Sequence, residues 1–479
     1  MTKFVLWRQF CSFSDHLLAY NNLAFYIPEL HPCRPTKSFL TYLESSSFKL
    51  LVFLPINIFT NIVRILLRFK LFDANLQSMR DRFTNNSVSS LIFSHFINLD
   101  HLQQDDFYFS PLFTELVKRG RNPDIIYISP QHDFPNLIKT YSSLNLFYPI
   151  LTPFNIIPYL KLFSTSLLSL VSFYFHYRSS YPLSFFIVSL KSLFSVSFFY
   201  NFYLKYLIFC LNLPKNFIYF TTFEGHSWER VLFHAFRSYH HSSLGYAYQH
   251  TLVFDNNHSL LRSSFSYLNP DFIFVSGFAQ FNMFKKFYTC PVHLVGTHKY
   301  SYPSPFNKNT LFERKKISIL FLPQGIHEEC LEHLNLALRL ASIYPDIQII
   351  FRTHPLISYI DVLSKVPHQN KPFSSLPNFN YHSCTLGESL KFSTIAIYSG
   401  STAVLEAIQL GIVPIYFLSK NHPSYIDPLW QLQSERLSIS SLEDFAHIYL
   451  SLESLTVSDT LKSHVQSLKS PFDVSTLFF

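Results

Sequence analysis

Four short segments of this 479-residue sequence place acidic, cationic, hydroxyl or glycine residues directly after a predicted buried strand. Ligands of open parallel sheets bind beyond the carboxyl ends of the strands, so chemistry is expected in these segments. The first is Phe223–Glu229 (FEGHSWE), where Gly225 permits a tight turn into a helix. We predict Glu224 as a general base for a hydroxyl group, with His226 and Glu229 as alternatives. The competing interpretation is a carboxylate that only caps the helix.

The other three segments carry groups that suit a phosphate. They are Gln324 and Gly325; Arg352, His354 and Pro355; and Ser399, Gly400, Ser401 and Thr402, before a helix that carries Glu406. A guanidinium such as that of Arg352 binds phosphate as a fork of donors, and His354 can donate to a phosphoryl oxygen. Glycine and hydroxyl residues at a turn expose backbone N–H groups to an anion. Glu406 is predicted to reach ribose hydroxyls. Ordinary strand-to-helix turns are the alternative.

Several kinds of site are not indicated. The sequence has no Asp-x-Asp, no G-x-x-x-x-G-K-[ST], no G-x-G-x-x-G and no H-x-x-x-H spacing, and its six cysteines are scattered. We therefore expect no metal site and no cofactor. The absence of a long Lys/Arg run also argues against a nucleic-acid partner, although the net charge is +8.

Apolar strands alternate with amphipathic helices in the second half of the chain, which predicts parallel sheets covered on both faces. The predicted strands are 90–95, 124–129, 216–222, 245–249, 271–275, 317–322, 348–351, 394–398 and 413–417, and the predicted helices are 228–239, 328–342 and 403–410. We predict an N-terminal domain at 1–299, a polar linker at 300–316 and a C-terminal domain at 317–479.

Three apolar segments raise the question of a membrane: Leu50–Val63, Leu162–Tyr177 and Phe185–Leu204. Each is shorter than the roughly 20 apolar residues of a spanning helix or is interrupted by a polar residue. Buried helices of a soluble domain, interfacial attachment and true spanning all stay open. We expect a cytoplasmic protein at the inner face of the cytoplasmic membrane.

Together the four motifs resemble those of two-domain (GT-B) glycosyltransferases of bacterial surface carbohydrate synthesis. The sequence is most similar to the capsule and lipopolysaccharide group of sialyl-, polysialyl- and Kdo-transferases and teichoic acid polymerases. Glu224-Gly225 looks like the acidic-Gly base motif of that group, and His354-Pro355 looks like its His-Pro phosphate motif. The segment Ser399–Pro414 resembles the donor-site helix. The first 200 residues lie outside the resemblance.

The resemblance implies an α/β fold with two Rossmann-like domains facing across a cleft. It implies inverting, metal-independent transfer of a sugar, possibly from a CMP-linked donor, to a surface glycan or a lipid-linked acceptor. Glu224 and His354 would be catalytic. Two alternatives remain: a CDP-polyol phosphotransferase of the same fold, and a non-catalytic, membrane-associated polysaccharide assembly protein.

Overall fold

The structure is a computed structural model that describes residues 3–21, 26–31, 39, 43–45, 47–67, 88–95, 106, 108–128, 146–147, 153–211, 213–254, 257–262, 265–297, 317–355, 357–366, 376–418 and 427–473. The chain divides into two compact units. Unit 1 comprises residues 1–251, 256–298 and 472–479, and unit 2 comprises residues 252–255 and 299–471. The predicted linker at 300–316 lies outside the described residues.

Unit 1 is a seven-stranded parallel sheet with helices. Its helices are α1 (Lys3–Tyr20), α2 (Ser47–Leu67), α3 (Ser110–Lys118), α4 (Pro153–Tyr177), α5 (Leu183–Leu193), α6 (Val196–Cys210), α7 (Ser227–Tyr239), α8 (His258–Leu261) and α9 (Phe278–Phe287). Its strands are β1 (Ser90–His95), β2 (Pro123–Ile128), β3 (Leu146–Phe147), β4 (Ile218–Thr222), β5 (Leu244–Gln249), β6 (Phe272–Val275) and β7 (Val292–Leu294). They lie in the order β3-β2-β1-β4-β5-β6-β7.

Aromatic residues fill much of the unit 1 core. The Tyr219 ring of β4 stacks on Phe236 of α7 with ring centroids 3.7 Å apart. Every residue of β4 is buried, as expected of a central parallel strand covered on both faces. Packing there is tight, because a Cβ on Gly245 would lie 2.3 Å from the Tyr219 hydroxyl. The sequence has 54 phenylalanines, and packing of this kind accounts for part of them.

Unit 2 is a six-stranded parallel sheet. Its strands are β8 (Ser318–Leu322), β9 (Gln348–Phe351), β10 (Phe379–Tyr381), β11 (Ile395–Tyr398), β12 (Val413–Phe417) and β13 (Leu437–Ile439). Its helices are α10 (His327–Ile343), α11 (Tyr359–Ser364), α12 (Leu386–Lys391), α13 (Ala403–Gln409), α14 (Leu442–Tyr449) and α15 (Asp459–Ser467). The order β10-β9-β8-β11-β12-β13 is the 3-2-1-4-5-6 order of the Rossmann fold. Unit 1 has the same order with β7 added at one edge.

The predicted strands and helices are confirmed to within two residues at each end. The end of the chain differs from the predicted C-terminal domain of 317–479, because its last described residues belong to unit 1. Phe472 packs against the apolar core of unit 1, and the backbone N–H of Asp473 donates to the Val295 carbonyl at 2.9 Å. Burial of Phe472 and this backbone pairing hold the segment there.

Among the described residues, one helix has the length and apolar composition to cross a membrane, the stretch Asn155–Tyr177 of α4. Helices α5 and α6 pass the same test only as a pair, bent by 54°. The predicted apolar segment 185–204 is thus two helices, and the Ser195 hydroxyl caps the second by accepting the Phe198 N–H. Length and composition alone also fit the core helix of a soluble protein.

Candidate functional site

The loop between β4 and α7 is organised by a buried carboxylate. Glu229, the third residue of α7, is fully buried. It accepts hydrogen bonds from the backbone N–H groups of Glu224, Gly225 and His226 at 2.8–3.1 Å. Burial raises the pKa of Glu229 to about 7, against the opposing influence of His226. With its oxygens committed to the loop, Glu229 is a structural residue, which leaves Glu224 and His226 as candidates for the base.

Gly225 is required by the shape of this loop. Its φ is +87°, in the left-handed region, and a Cβ there would lie 2.5 Å from the Ser259 hydroxyl oxygen and 2.8 Å from the Leu260 nitrogen. The Ser259 hydroxyl donates to the Gly225 carbonyl at 2.6 Å, which ties the loop to α8. Only glycine satisfies both the dihedral angle and the space.

The Glu224 side chain lies between two imidazoles. Its carboxylate oxygens are 3.1 Å from Nε2 of His250 and 3.5 Å from Nε2 of His226. About a quarter of the Glu224 side chain is exposed (26%), whereas His250 is buried. Burial by itself would raise the pKa of Glu224, but the hydrogen bonds and charges of His226 and His250 outweigh it and hold the pKa well below its usual value. Glu224 is therefore an ionised carboxylate with access to solvent at neutral pH.

His250 was not among the predicted site residues. It follows β5, the neighbour of β4, and Thr222 of β4 pairs with Tyr248 of β5. Two residues beyond this pair in each chain segment, just after the strands end, the same register places Glu224 opposite His250. A histidine directly after a strand was the available sequence signal, but strand pairing was needed to connect it to Glu224.

The loop between β8 and α10 in unit 2 is organised in the same manner. Glu329, the third residue of α10, is fully buried and accepts the Gln324 backbone N–H at 3.0 Å. Its other oxygen accepts the Gln324 side-chain amide at 2.6 Å. The Gln324 side chain is thereby committed to the loop, whereas Gly325 next to it is exposed.

Gly325 and His354 are in contact. A Cβ on Gly325 would lie 3.0 Å from Nδ1 of His354, so the ring packs on the glycine backbone. Burial, and then the charge of Arg352, lower the pKa of His354, which keeps the imidazole neutral at neutral pH. Arg352 is half-buried and reaches the Ser389 hydroxyl at 3.4 Å. Pro355 is exposed in the following turn. The structure thus places Gly325, Arg352 and His354 at the carboxyl ends of adjacent strands β8 and β9.

The turn after β11 is linked to the loop after β8 through buried His333. His333 contacts the Ser399 hydroxyl at 2.9 Å through Nε2, which also lies 3.8 Å from Glu329. Ser399 in turn donates to the Phe417 carbonyl at 2.7 Å. The Ser399 hydroxyl is therefore occupied by protein contacts. The buried chain Glu329–His333–Ser399 fixes two strand ends relative to each other, which composition and spacing did not reveal.

The remaining residues of this turn differ in access. Gly400 and Ser401 are buried and Thr402 is exposed at the start of α13. Glu406 on α13 is half-buried; burial raises its pKa, and Lys469 and Arg352 oppose that shift. Lys469, which sequence analysis did not single out, is buried, and burial lowers its pKa to about 8. Glu406 thus lies within the electrostatic reach of Arg352 and Lys469, and its ribose contact stays a prediction.

No group of three or more His, Cys, Asp or Glu side chains that could hold a metal ion occurs among the residues that the structure describes. The roles of Glu224, Gln324, Arg352, His354 and the residues of the β11 turn stay predictions. What the structure establishes is where they lie: each follows a parallel strand of its own unit.

The two strand orders define the class of fold: both units are Rossmann-like α/β domains. No family model matches the sequence, and neither does any curated protein.

Solved structures with similar folds include three sugar- or nucleotide-related proteins. The glycotransferase of kitacinnamycin is 10% identical, with a TM-score of 0.41 over 79% of this chain and 94% of that chain. The α,α-trehalose 6-phosphate synthase from Burkholderia multivorans is 10% identical, with a TM-score of 0.40 over 80% and 94%. Anabaena HepE, in complex with UDP-glucose, is 11% identical, with a TM-score of 0.39 over 81% and 96%. The likeness concerns the fold.

Proposed function

We propose that this protein is a GT-B-type glycosyltransferase that moves a sugar from a nucleotide-activated donor to a hydroxyl acceptor. The observation that carries the proposal is the Glu224 carboxylate, held ionised between two imidazoles at the end of β4. A solvent-accessible carboxylate fixed after a central parallel strand has the position and charge of a general base. The motif resemblance of Glu224-Gly225 and His354-Pro355 supports the same assignment.

In the proposed reaction, Glu224 takes the proton of the acceptor hydroxyl while the acceptor oxygen bonds to the anomeric carbon of the donor. The bond between that carbon and the phosphate oxygen breaks, and its electron pair leaves with the nucleotide. A single displacement of this kind inverts the anomeric centre. His250 and His226 orient the carboxylate and keep it deprotonated.

Unit 2 would hold the donor nucleotide. The guanidinium of Arg352 would stabilise the charge that develops on the leaving phosphate, and neutral His354 would donate a hydrogen bond to it. Gly325 lets the His354 ring pack directly on the loop backbone, since a side chain there would press on the ring. These groups do this without a metal ion or a cofactor.

The donor nucleotide, possibly CMP, and the acceptor, a surface glycan or a lipid-linked carbohydrate, are proposed from the motif resemblance. So is the location at the inner face of the cytoplasmic membrane. An acceptor presented at a membrane agrees with the apolar helices of unit 1.

Isothermal titration with CMP, UDP and GDP tests the proposal and identifies the donor class. We expect one nucleotide to bind, and His354→Ala to weaken it at least about tenfold through loss of a phosphate contact. His447→Ala, an exposed histidine on α14 of the same unit, is the matched control and should leave binding unchanged. Failure of all three nucleotides to bind would overturn the proposal and favour an assembly protein.

The mass of the product distinguishes a glycosyltransferase from the remaining alternative, a polyol phosphotransferase. Incubation with the donor that carries the bound nucleotide should add a sugar to the acceptor. A phosphopolyol increment would instead show a polyol phosphotransferase.

A further inference from the structure

Helix α2 exposes a largely apolar face, on which the hydroxyl of exposed Thr60 donates to the Ile56 carbonyl at 2.8 Å. Six large apolar side chains on it are between 36% and 70% exposed: Val52, Phe53, Ile56, Phe59, Ile62 and Val63. Their spacing places them on one half of the helix circumference. No Asp, Glu, Lys or Arg occurs between residues 50 and 63. A surface helix of a soluble protein normally turns polar residues outward, so an apolar face of this size is unusual for a helix in contact with water.

The opposite face of α2 is anchored to the protein. Leu50 and Leu54 are buried in a cluster with Ile187 of α5, and partly buried Ile58 packs against the same cluster. The outward face is therefore held in place by packing on the inward face. A helix that is apolar on both sides, with one side already packed, needs a second apolar environment.

The dimensions of the face favour a lipid surface over crossing a membrane or binding a protein. The stretch Val52–Val63 is about 18 Å long at about 1.5 Å per residue, well short of the roughly 30 Å of a hydrocarbon core. Stable protein interfaces use roughly 20–30 residues a side, whereas this face offers six large side chains. Insertion into the interfacial region of a bilayer needs only apolar area.

Charge also favours a lipid surface. Exposed Lys49 lies three and four residues before Val52 and Phe53, on the same side of α2. This position places a positive charge beside the apolar face, at the level of lipid phosphates if the face is immersed, with the methylenes of Lys49 along the face. The net charge of +8 is complementary to an anionic leaflet. By contrast, the exposed face of α4 interrupts its apolar residues with exposed Lys161, Ser164 and Ser172.

We infer that α2 is an interfacial helix whose Val52–Val63 face is immersed in the surface of an anionic lipid bilayer. Its purpose, bringing the enzyme to a lipid-linked acceptor, rests on the proposed function. The contact itself requires neither donor nor acceptor.

Co-sedimentation of the full chain with vesicles tests this inference. The vesicles are phosphatidylcholine alone and phosphatidylcholine mixed with phosphatidylglycerol. The double variant Phe53→Ser/Phe59→Ser should bind the mixed vesicles at least about tenfold more weakly, since each buried phenylalanine contributes strongly to partitioning. Lys49→Gln should weaken binding about fivefold to the mixed vesicles and leave binding to phosphatidylcholine unchanged. The matched control is Phe392→Ser in unit 2, whose side chain is 64% exposed, and it should bind as the wild type does.

Three results would overturn the inference. They are no binding of the wild-type chain, unchanged binding of the double variant, and an equal loss in Phe392→Ser. A chain that elutes as a dimer, and as a monomer once Phe53 and Phe59 are replaced, would show that the face binds protein instead. The same preparations are titrated with nucleotide. Normal nucleotide binding by the double variant shows that it is folded. If the double variant loses vesicle binding but neither the wild type nor any variant binds nucleotide, only the proposed function is overturned.

Discussion

The loops after β4 in unit 1 and after β8 in unit 2 share one frame and differ in one functional group. In both, the second residue after the strand is followed by a glycine, and a buried glutamate five residues after it accepts its backbone N–H. That second residue is Glu224 in unit 1 and Gln324 in unit 2. Glu224 faces His226 and His250, whereas the Gln324 amide is bound by Glu329 itself.

The comparison shows that the buried glutamate and the glycine fix the backbone of the loop, whereas the side chain of Glu224 or Gln324 decides which functional group the loop presents. A buried glutamate that accepts backbone N–H groups shapes a strand-to-helix turn in either unit. In unit 1 the turn then presents a negative charge. In unit 2 it presents bare glycine backbone, and positive charge comes from Arg352 on the next strand. Only glycine and the buried glutamate are identical between the two segments, 223–229 and 323–329, too little for a repeat to be seen in the sequence.

Glu224→Gln gives the unit 1 loop the amide of the unit 2 loop, and we expect the largest effect from it. Sugar transfer should fall about 10²–10⁴-fold, the usual contribution of a general base. Nucleotide affinity, measured by titration, should stay unchanged, because the donor contacts lie in unit 2. Transfer within a few-fold of wild type would exclude Glu224 as the base.

Alanine at the two loop glycines should separate stability from binding. Gly225→Ala combines a left-handed φ with close contacts to Ser259 and Leu260, so it should destabilise unit 1 by about 3 kcal/mol in urea unfolding. Gly325→Ala meets only the movable ring of His354 and should cost about 1 kcal/mol. The main effect of Gly325→Ala should be weaker nucleotide binding, since the His354 ring must shift away from the new methyl group. Equal unfolding costs would contradict the geometry of the two loops.

Replacement of the two buried glutamates, Glu229 and Glu329, should show which loop depends more on its glutamate for stability. Glu229→Ala leaves three backbone N–H groups without their acceptor and should destabilise its unit by about 3 kcal/mol. Glu329→Ala removes the acceptor of one backbone N–H and of a side-chain amide that can turn to solvent, and the carboxylate 3.8 Å from buried His333, for about 2 kcal/mol. Urea unfolding of the two variants measures this order, and the reverse order would show that Glu329 holds more of its loop than Glu229 does.

The smallest effect we predict is a displaced pH profile. His250→Asn removes one of the two imidazoles that hold the pKa of Glu224 low, while burial still raises it, so the pKa should rise. A base must be ionised, and activity is lost as pH falls through its pKa. The acidic limb of the kcat/KM profile should therefore move to higher pH in His250→Asn. An unmoved limb would show that His250 does not face Glu224 during turnover.

Local sequence patterns were sufficient for much of the fold. Continuous apolar strands such as Ile218–Thr222 and Val413–Phe417 were predicted because a central parallel strand is buried on both faces. The short strands Leu146–Phe147, Val292–Leu294, Phe379–Tyr381 and Leu437–Ile439 were not predicted, since two or three residues carry no periodic signal. The apolar segment at 185–204 did not show where one helix ends and the next begins.

The sequence by itself determined which residue types follow each strand, and hence that a carboxylate, a guanidinium, an imidazole and glycines lie at strand ends. Only the tertiary structure decided their partners. It paired β4 with β5, which brought His250 to Glu224, and it buried Glu229 and Glu329 as acceptors for their own loops. It also showed which side of α2 is packed. The physical reason is that hydrogen-bond partners and burial depend on strand register and helix packing, which join residues distant along the chain.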